Sequence, residues 1–417
     1  MRHKWLIVSL LSLAELGVLG GTVLAARSGL TWQNVFGFAW PVFNGGGQFS
    51  ATADQDQTFA VGPAAAVNVQ SSFGGITVTA GSGQAIVVHA HKIGWGIDQA
   101  AADASLAALK LTMTQAGNAV TIQVEQPAGF ILGNRGQNNG VDFTIEVPSD
   151  AAVKAHTSFG DVQVTGAAGG VDASTSSGRA GAHSVGGAVV LHSDFGAVTL
   201  DNATVSTVSA ASSSGSVTLS QVTASGAVEM HSDFGALDYE GGRAASLTAR
   251  TSNGRVTLSG LTIDGAANAH SDFGSLTVSQ VAASSYAINS SNGNINIDGA
   301  AGSVQASSDF GRVSVAHGSG ATLDLHSSNG SVSYSGTLGA GPHSLTSDFG
   351  NVSLTLPAST TADLDLSTSF GSIHSALPVT ASGDLSRDHW TGKLNNGGPQ
   401  LTVKTSNGNI SLDALSS

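Results

Sequence analysis

The chain has 417 residues, enough for one large domain or two ordinary ones. Only 10% of its residues are charged, the net charge is −13, and no Lys/Arg cluster occurs, which excludes nucleic-acid binding driven by phosphate contacts. Cysteine is absent, so disulfides, thiolate metal sites, a cysteine nucleophile and a lipid-modified N-terminal cysteine are excluded as well.

In chain order, Arg2 and Lys4 precede a largely apolar run over 5–26 that ends in Leu24-Ala25-Ala26. A basic start, an apolar stretch and small residues at its end predict an export signal. The run is also long enough, at ~20 residues, to stay in a bilayer as an uncleaved anchor with its N-terminus in the cytoplasm. The expectation for 1–26 is therefore a signal peptide or a membrane anchor. The segment 27–66 carries Trp32, Phe36, Phe38, Trp40 and Phe43 among glycines, and reads as a Gly/aromatic tether.

From residue 67 a repeat takes over. Strings of the form Ser/Thr-x-x-Gly place glycines at 74, 160, 178, 196, 215, 235, 254, 274, 293, 311, 330, 350, 371 and 408. From Gly160 to Gly371 the steps run from 18 to 21 residues, and the last step, 37, reads as two turns with one anchor degraded. Two and four positions after the glycine the residues are usually apolar, as in Val198/Leu200, Val256/Leu258 and Ile295/Ile297. Seven and five positions before it apolar residues dominate again, as in Val189/Leu191, Val228/Met230 and Tyr286/Ile288. Period-two alternation marks a strand with one buried face. Two short strands per ~19-residue unit, with no helix between them, predict an all-β fold, a single-chain β-solenoid. Roughly fourteen turns at ~4.8 Å each would make a rod ~65 Å long. The glycine is expected at a corner that demands an unusual backbone angle.

Between Gly74 and Gly160 the rhythm breaks. The pattern predicts strands at 85–89, 111–115, 119–125 and 141–147, and a helix from Asp98 to about Lys110. Residues 129–140 read as a loop. The expectation is that 67–150 comprises the first coil unit plus a small α+β insertion, at 81–150, capping the N-terminal end of the solenoid. Residues 151–417 form the remaining repeats, closing on a clean unit at 401–412.

The pentapeptide His-Ser-Asp-Phe-Gly occurs at 192–196, 231–235 and 270–274, with close variants ending at Gly311 and Gly350. Ser, three before the glycine, and Phe, one before it, share the buried parity of the positions seven and five before it, so Ser and Phe are expected to face the core and His and Asp to face solvent. Phe195, Phe234, Phe273, Phe310 and Phe349 are then core residues, alternating with Asn253, Asn292 and Asn329 in the intervening units. Either a turn takes ~19 residues and Phe and Asn alternate in one column, or it takes ~39 and each has its own edge; the common strand pattern favours ~19. The outward strip His192, Asp194, His231, Asp233, His270 and Asp272 is a candidate weak site for a divalent metal, since imidazole and carboxylate are transition-metal ligands. The plain alternative is a solvated, weakly acidic face. A second outward row, three past each glycine, holds Thr199, Thr218, Thr257 and Thr277, and exposed strands favour such residues without any ligand.

The repeated T/S-S-F/N-G-x-V/I-x-V/L units, the segment 91–96 (HKIGWG) before an Ala-rich helix, and the closing 392–412 (GKLNNGGPQLTVKTSNGNISL) resemble the bacterial "putative adhesin" family of exported β-strand-repeat proteins of unknown function. The resemblance covers about 67–417. It implies a β-solenoid at the cell surface, tethered by an N-terminal helix, and no demonstrated activity. The long polar faces of such a rod predict a structural or adhesive module that acts through those faces and not through a pocket, with surface glycans or other envelope components as partners. The resemblance supplies no catalytic residues. No G-x-S-x-G, H-E-x-x-H, phosphate-loop or dinucleotide fingerprint occurs, so neither catalysis nor a cofactor is expected. The alternative is a polysaccharide-processing β-helix enzyme, against which stands the even spread of the carboxylates along the repeat.

Overall fold

The computed structural model describes residues 49–125, 139–382 and 386–415. The expected signal or anchor at 1–26, the aromatic part of the tether and most of the 129–140 loop lie outside them.

Each repeat contributes one strand before the glycine and one after it. All pair in parallel with the equivalent strands above and below. Val189, Leu191 and Ser193 pair with Val208, Ala210 and Ser212, which pair in turn with Val228, Met230 and Ser232. Past the corner, Val198 and Leu200 pair with Val217 and Leu219, and these with Leu237 and Tyr239. Equivalent residues stack directly, so one turn takes 18 to 20 residues (Val171 on Val189, Ser193 on Ser212, Ser212 on Ser232) and the two-turn alternative is excluded. The fold is an all-β solenoid. Every second side chain points inward because successive residues of a strand face opposite sides. The result is a narrow core of Val, Leu, Ile and Ala. A short third side closes the section, where Val205, Ala224, Ala244 and Ile263 are buried.

The first end is more elaborate than a plain insertion. Its elements are β1 (Phe49–Ala60), β2 (Ala66–Phe73), β3 (Ile76–Gly81), β4 (Ala85–Gly96), α1 (Gln99–Ala108), β5 (Lys110–Ala116), β6 (Ala119–Glu125), β7 (Gly140–Pro148), β8 (Ala152–Phe159) and β9 (Val162–Thr165). β1 occupies part of the segment read as a tether. It pairs antiparallel with the full length of β4, and β4 pairs antiparallel with β7. The Asp98 carboxylate accepts from the Ala101 N–H and caps α1. α1 lies close on β4: a Cβ at Gly94 or Gly96 would overlap the helix backbone. β2 lies between β6 and β8, and β3 between β7 and β9. The chain therefore lays one rung, leaves to build the cap, and returns on the far side of that rung before continuing.

The last end repeats the device. The strand Gln400–Thr405 pairs with both His343–Ser347 and Ala362–Thr368, and Ile410–Ala414 pairs with both Val352–Leu356 and Ile373–Ser375. The unit at 401–412 is thus not the end of the stack. It slides between two earlier rungs, and the 37-residue step is not two turns. The strand His389–Leu394 pairs antiparallel with Ala362–Thr368 and with Val379–Ala381, covering an edge that would otherwise offer free backbone groups.

The corner glycines stack in one column in spatial order, Gly350 below Gly408 and Gly408 below Gly371. Within this column only Gly74 and Gly160 have positive φ, 116° and 142°. The expected unusual backbone angle is therefore not what selects glycine. A Cβ at Gly215, Gly254, Gly293 or Gly330 would overlap the carbonyl oxygen of the glycine one rung below. Close approach of backbone to backbone is the reason. Gly254→Ala is accordingly expected to lower stability by more than ~3 kcal/mol or to open the adjoining rungs, as a severe steric change in a packed site does. Gly83→Ala, where a Cβ meets nothing within 4 Å, should change stability by less than ~0.5 kcal/mol. Chemical denaturation of the two variants checks this.

Candidate functional site

Three residues before each corner glycine sits a buried Ser or Thr. The Ser232 hydroxyl donates to the Gly215 carbonyl one rung below, at 3.0 Å, and accepts the N–H of Gly235 in its own rung, at 2.8 Å. Ser271 does the same with Gly254 (2.9 Å) and Gly274 (2.8 Å), and Ser327 with Gly311 (2.8 Å) and Gly330 (2.8 Å). Where Thr replaces Ser the geometry holds: Thr251 donates to Gly235 at 3.1 Å and accepts from Gly254 at 3.0 Å. From Ser193 to Ser347 each of these hydroxyls donates one bond and accepts another, both with backbone groups of the bend, whereas at the first end the N–H groups of Gly74 and Gly160 go to the carbonyls of Phe159 and Ser177.

This relay sets the direction of the two residues between the hydroxyl and the glycine. The strand Ala227–Ser232 ends on the serine, so Asp233 and Phe234 belong to the bend and not to the strand. The Phe234 N–H donates to the Ser213 carbonyl below at 3.1 Å, and Phe195, Phe273, Phe310 and Phe349 make the equivalent bond. The phenyl rings turn outward. Phe195, Phe234, Phe273, Phe310 and Phe349 are 71, 66, 65, 65 and 62% exposed. The expectation that they are core is wrong. It extends strand alternation through two residues that are not in a strand, into a corner already filled by hydroxyl and glycine backbone. Serine, on the same parity but inside the strand, does face in: Ser193, Ser232 and Ser271 are buried.

The result is a row of exposed phenylalanines at every second rung along one corner, with Ser214 or an Asn between them. Asn253 and Asn329 each donate Nδ2–H to the carbonyl of the Asp in the rung below, Asp233 at 3.4 Å and Asp309 at 3.1 Å. The alternation survives the change of chain order at the last end. The Asn407 N–H bonds Asp348, and the Phe370 N–H bonds Ser406, so Asn407 lies between Phe349 and Phe370, which is 82% exposed. At the first end Phe73 and Phe159 occupy neighbouring rungs and stack, with centroids 4.9 Å apart and planes 8° from parallel.

The candidate metal strip resolves into separate pairs. His192 Nε2 lies 3.0 Å from Asp194 Oδ1, His231 Nε2 lies 3.3 Å from Asp233, and His270 Nε2 lies 3.0 Å from Asp272. Ala211 stands in register between His192 and His231, and Arg250 between His231 and His270. Successive pairs are therefore two rungs apart. Among the described residues no group of three or more His, Cys, Asp or Glu converges on one point. The His192 N–H beside Asp194 is the main influence holding that carboxyl below its ordinary value, with a partial opposing effect of burial and a smaller contribution from Ser176. The threonine row does form an in-register ladder, Thr199 beside Thr218 and Thr257 beside Thr277, with Asp238 between the two pairs.

One histidine is buried because it stands seven before its glycine, Gly350, at the core position that Val228 and Tyr286 fill in other rungs. His343 Nδ1 accepts the Leu323 N–H at 3.3 Å, and its Nε2–H donates to the Gly339 carbonyl at 3.2 Å. Burial pushes this imidazole below its ordinary value of 6.5.

The model of the Toastrack DUF4097 family matches residues 97–272 and 240–413. The chain belongs to the Toastrack DUF4097 family. No curated protein matches it. Among solved structures it is similar to a "putative cell adhesion protein" from Clostridium sporogenes, at 8% identity over 87% of this chain and 100% of that one, with a TM-score of 0.18. It is also similar to a "putative adhesin" from Bacteroides fragilis, at 12% identity over 86% of this chain and 97% of that one, with a TM-score of 0.25. Among the described residues of this Toastrack chain, no helix is long and apolar enough to cross a membrane.

Two outcomes are expected. Ser271→Ala leaves the Gly274 N–H unpaired in a buried corner and should cost ~1–3 kcal/mol, whereas Ser271→Thr should be close to neutral, because Thr251 already fills the same position. Urea denaturation distinguishes them. His343 has a folded-state pKa below its unfolded one, so its contribution is complete above the ordinary value of 6.5 and is lost as pH falls below it. The urea midpoint should therefore drop between about pH 7 and about pH 5, and His343→Gln should flatten that drop.

Proposed function

We propose that this Toastrack protein is an exported, cell-surface structural or adhesive module that binds along its aromatic corner and performs no catalysis. The observation that carries the reading is the row of phenylalanines held outward on a rigid backbone at regular intervals. Exposed aromatic side chains aligned in one row, here at every second rung, are enriched where proteins associate. Each ring sits on a backbone pinned by an inter-rung hydrogen bond, so little freedom is lost when a partner docks. The cavity beside Arg312 and the one beside Lys154 and Asp172 are open to solvent, and among the described residues the carboxylates are distributed along the repeat. The apolar run with Arg2 and Lys4 at its start supports export, and surface glycans or other envelope components are the partners such a location offers.

The test is a glycan array combined with binding to isolated envelope fractions, comparing the wild-type protein with the triple variant Phe234→Ala/Phe273→Ala/Phe310→Ala. The expected result is retention of the wild type and loss of about tenfold or more in the variant, the size of effect typical of aromatic anchors. Because the three rings are exposed, the melting temperature should stay the same. Equal retention of both proteins, or retention of neither, contradicts the proposal.

A further inference from the structure

The aromatic row has a repeat length, and the repeat length selects a ligand. We infer that the corner binds a neutral, extended β-1,4-linked polysaccharide lying parallel to the solenoid axis. The inference rests on the proposed binding role of the corner and names its ligand class.

Phe195, Phe234, Phe273, Phe310 and Phe349 recur at every second rung, which places successive rings ~9.6 Å apart for a strand spacing of ~4.8 Å. An extended β-1,4-linked chain turns each sugar over relative to the last, so the same ring face returns once per disaccharide. That disaccharide repeat is close to two strand spacings. A row of rings at this interval meets the same C–H face of every second sugar, and apolar C–H faces pack on aromatic rings. A polymer with one sugar per aromatic, or a helically coiled one, falls out of step within a few units.

The flanks supply hydroxyl recognition. On one side run Asp194, Asp233 and Asp272, each oriented by its histidine partner. A carboxylate accepts hydrogen bonds from sugar hydroxyls, and Ser213, Ser252 and Ser291 fill the intervening rungs at the same position. On the other side, one residue past the glycine, Asn294, Arg312 and Ser331 line an open polar cleft of about 320 Å³ together with Asn296. Arg312 donates Nε–H to Ser331 at 3.1 Å, and Asn294 Oδ1 accepts the Arg312 N–H at 2.9 Å, so the cleft is ordered by its own bonds. Aromatic faces in the centre, acceptors along one side and, over the rungs beside Phe310, donors on the other match a polyhydroxylated chain.

Charge separates the candidates. A regular Asp row on a chain of net charge −13 repels anionic glycans, nucleic acids and acidic membrane surfaces. A second copy docking antiparallel, corner to corner, would bring a second Asp row against the first. A neutral polysaccharide meets neither penalty.

The experiment is depletion from solution by microcrystalline cellulose and by chitin, with calorimetry on cellohexaose and alginate as the anionic control. The proteins are the wild type, the triple Phe→Ala variant above, and Phe273→Trp, which keeps an aromatic face. Expected are depletion of the wild type by cellulose or chitin, at least about tenfold weaker binding by the triple variant, binding by Phe273→Trp equal to or stronger than wild type, and no heat with alginate. No depletion of the wild type by either polymer, or equal depletion of the triple variant, overturns the inference. Phe-dependent binding only to alginate, or to another array glycan, overturns the ligand class while leaving the corner as the binding surface. Phe-dependent dimerisation in sedimentation overturns it in favour of a second copy.

Discussion

The structure depends on one hydrogen-bond relay. In the rungs from Gly196 to Gly350, and again at Gly371, the glycine N–H donates to a buried Ser or Thr hydroxyl, and that hydroxyl donates to the carbonyl of the glycine one rung below, whereas Gly74 and Gly160 donate to the carbonyls of Phe159 and Ser177. The relay does three things at once. It satisfies backbone groups that leave the sheet ladder at the bend, where an unpaired buried group is costly. It draws successive corners so close that only glycine fits. It also fills the inside of the corner with small polar groups, leaving no room there for a large side chain. The residue next to the glycine must therefore point away, and from Phe195 onward the protein places Phe there in every second rung.

The same relay separates the legible part of the fold from the hidden part. The two strands per unit, the turn length and the solenoid class follow from period-two apolar spacing, because Val189/Leu191 or Val256/Leu258 can be buried together only on one face of a strand. The direction of Phe234 could not be obtained that way. It depends on where the strand ends, and the strand ends at Ser232 because its hydroxyl is diverted to the glycines. A signal was present nonetheless: a Ser or Thr fixed three places before every glycine is more constant than a core position needs to be. The interleaved rungs at the two ends were also hidden, since parallel pairing of 401–412 between two earlier rungs is set by non-local partners and leaves no mark on its own periodicity. The strand at 49–60 lacks strong alternation because its long antiparallel pairing with β4 leaves most of its side chains in solvent.

The outward direction of the His and Asp residues was legible, and their grouping was not. Position relative to the glycine shows that they share a side of the rod. It does not show that Ala211 and Arg250 separate them, because that depends on which unit types stack next to each other. With units alternating, every feature of the His-Ser-Asp-Phe-Gly string recurs at two rungs: the pairs are isolated from each other, and the same spacing turns the phenylalanines into a regular ruler. A single alternation in the sequence thus disperses one candidate site and creates another. The interleaving at the last end keeps it in step, with Asn407 between Phe349 and Phe370.

The most direct measurement is the accessibility of the two residues whose directions the relay dictates. The chain contains no cysteine, so Ser232→Cys and Phe234→Cys each introduce a single reporter. Under native conditions Cys at 234 should react with a soluble thiol reagent about as fast as in denaturant, and Cys at 232 should be protected until the rungs open. Equal reactivity at both positions, or protection at 234 with rapid labelling at 232, would contradict the account.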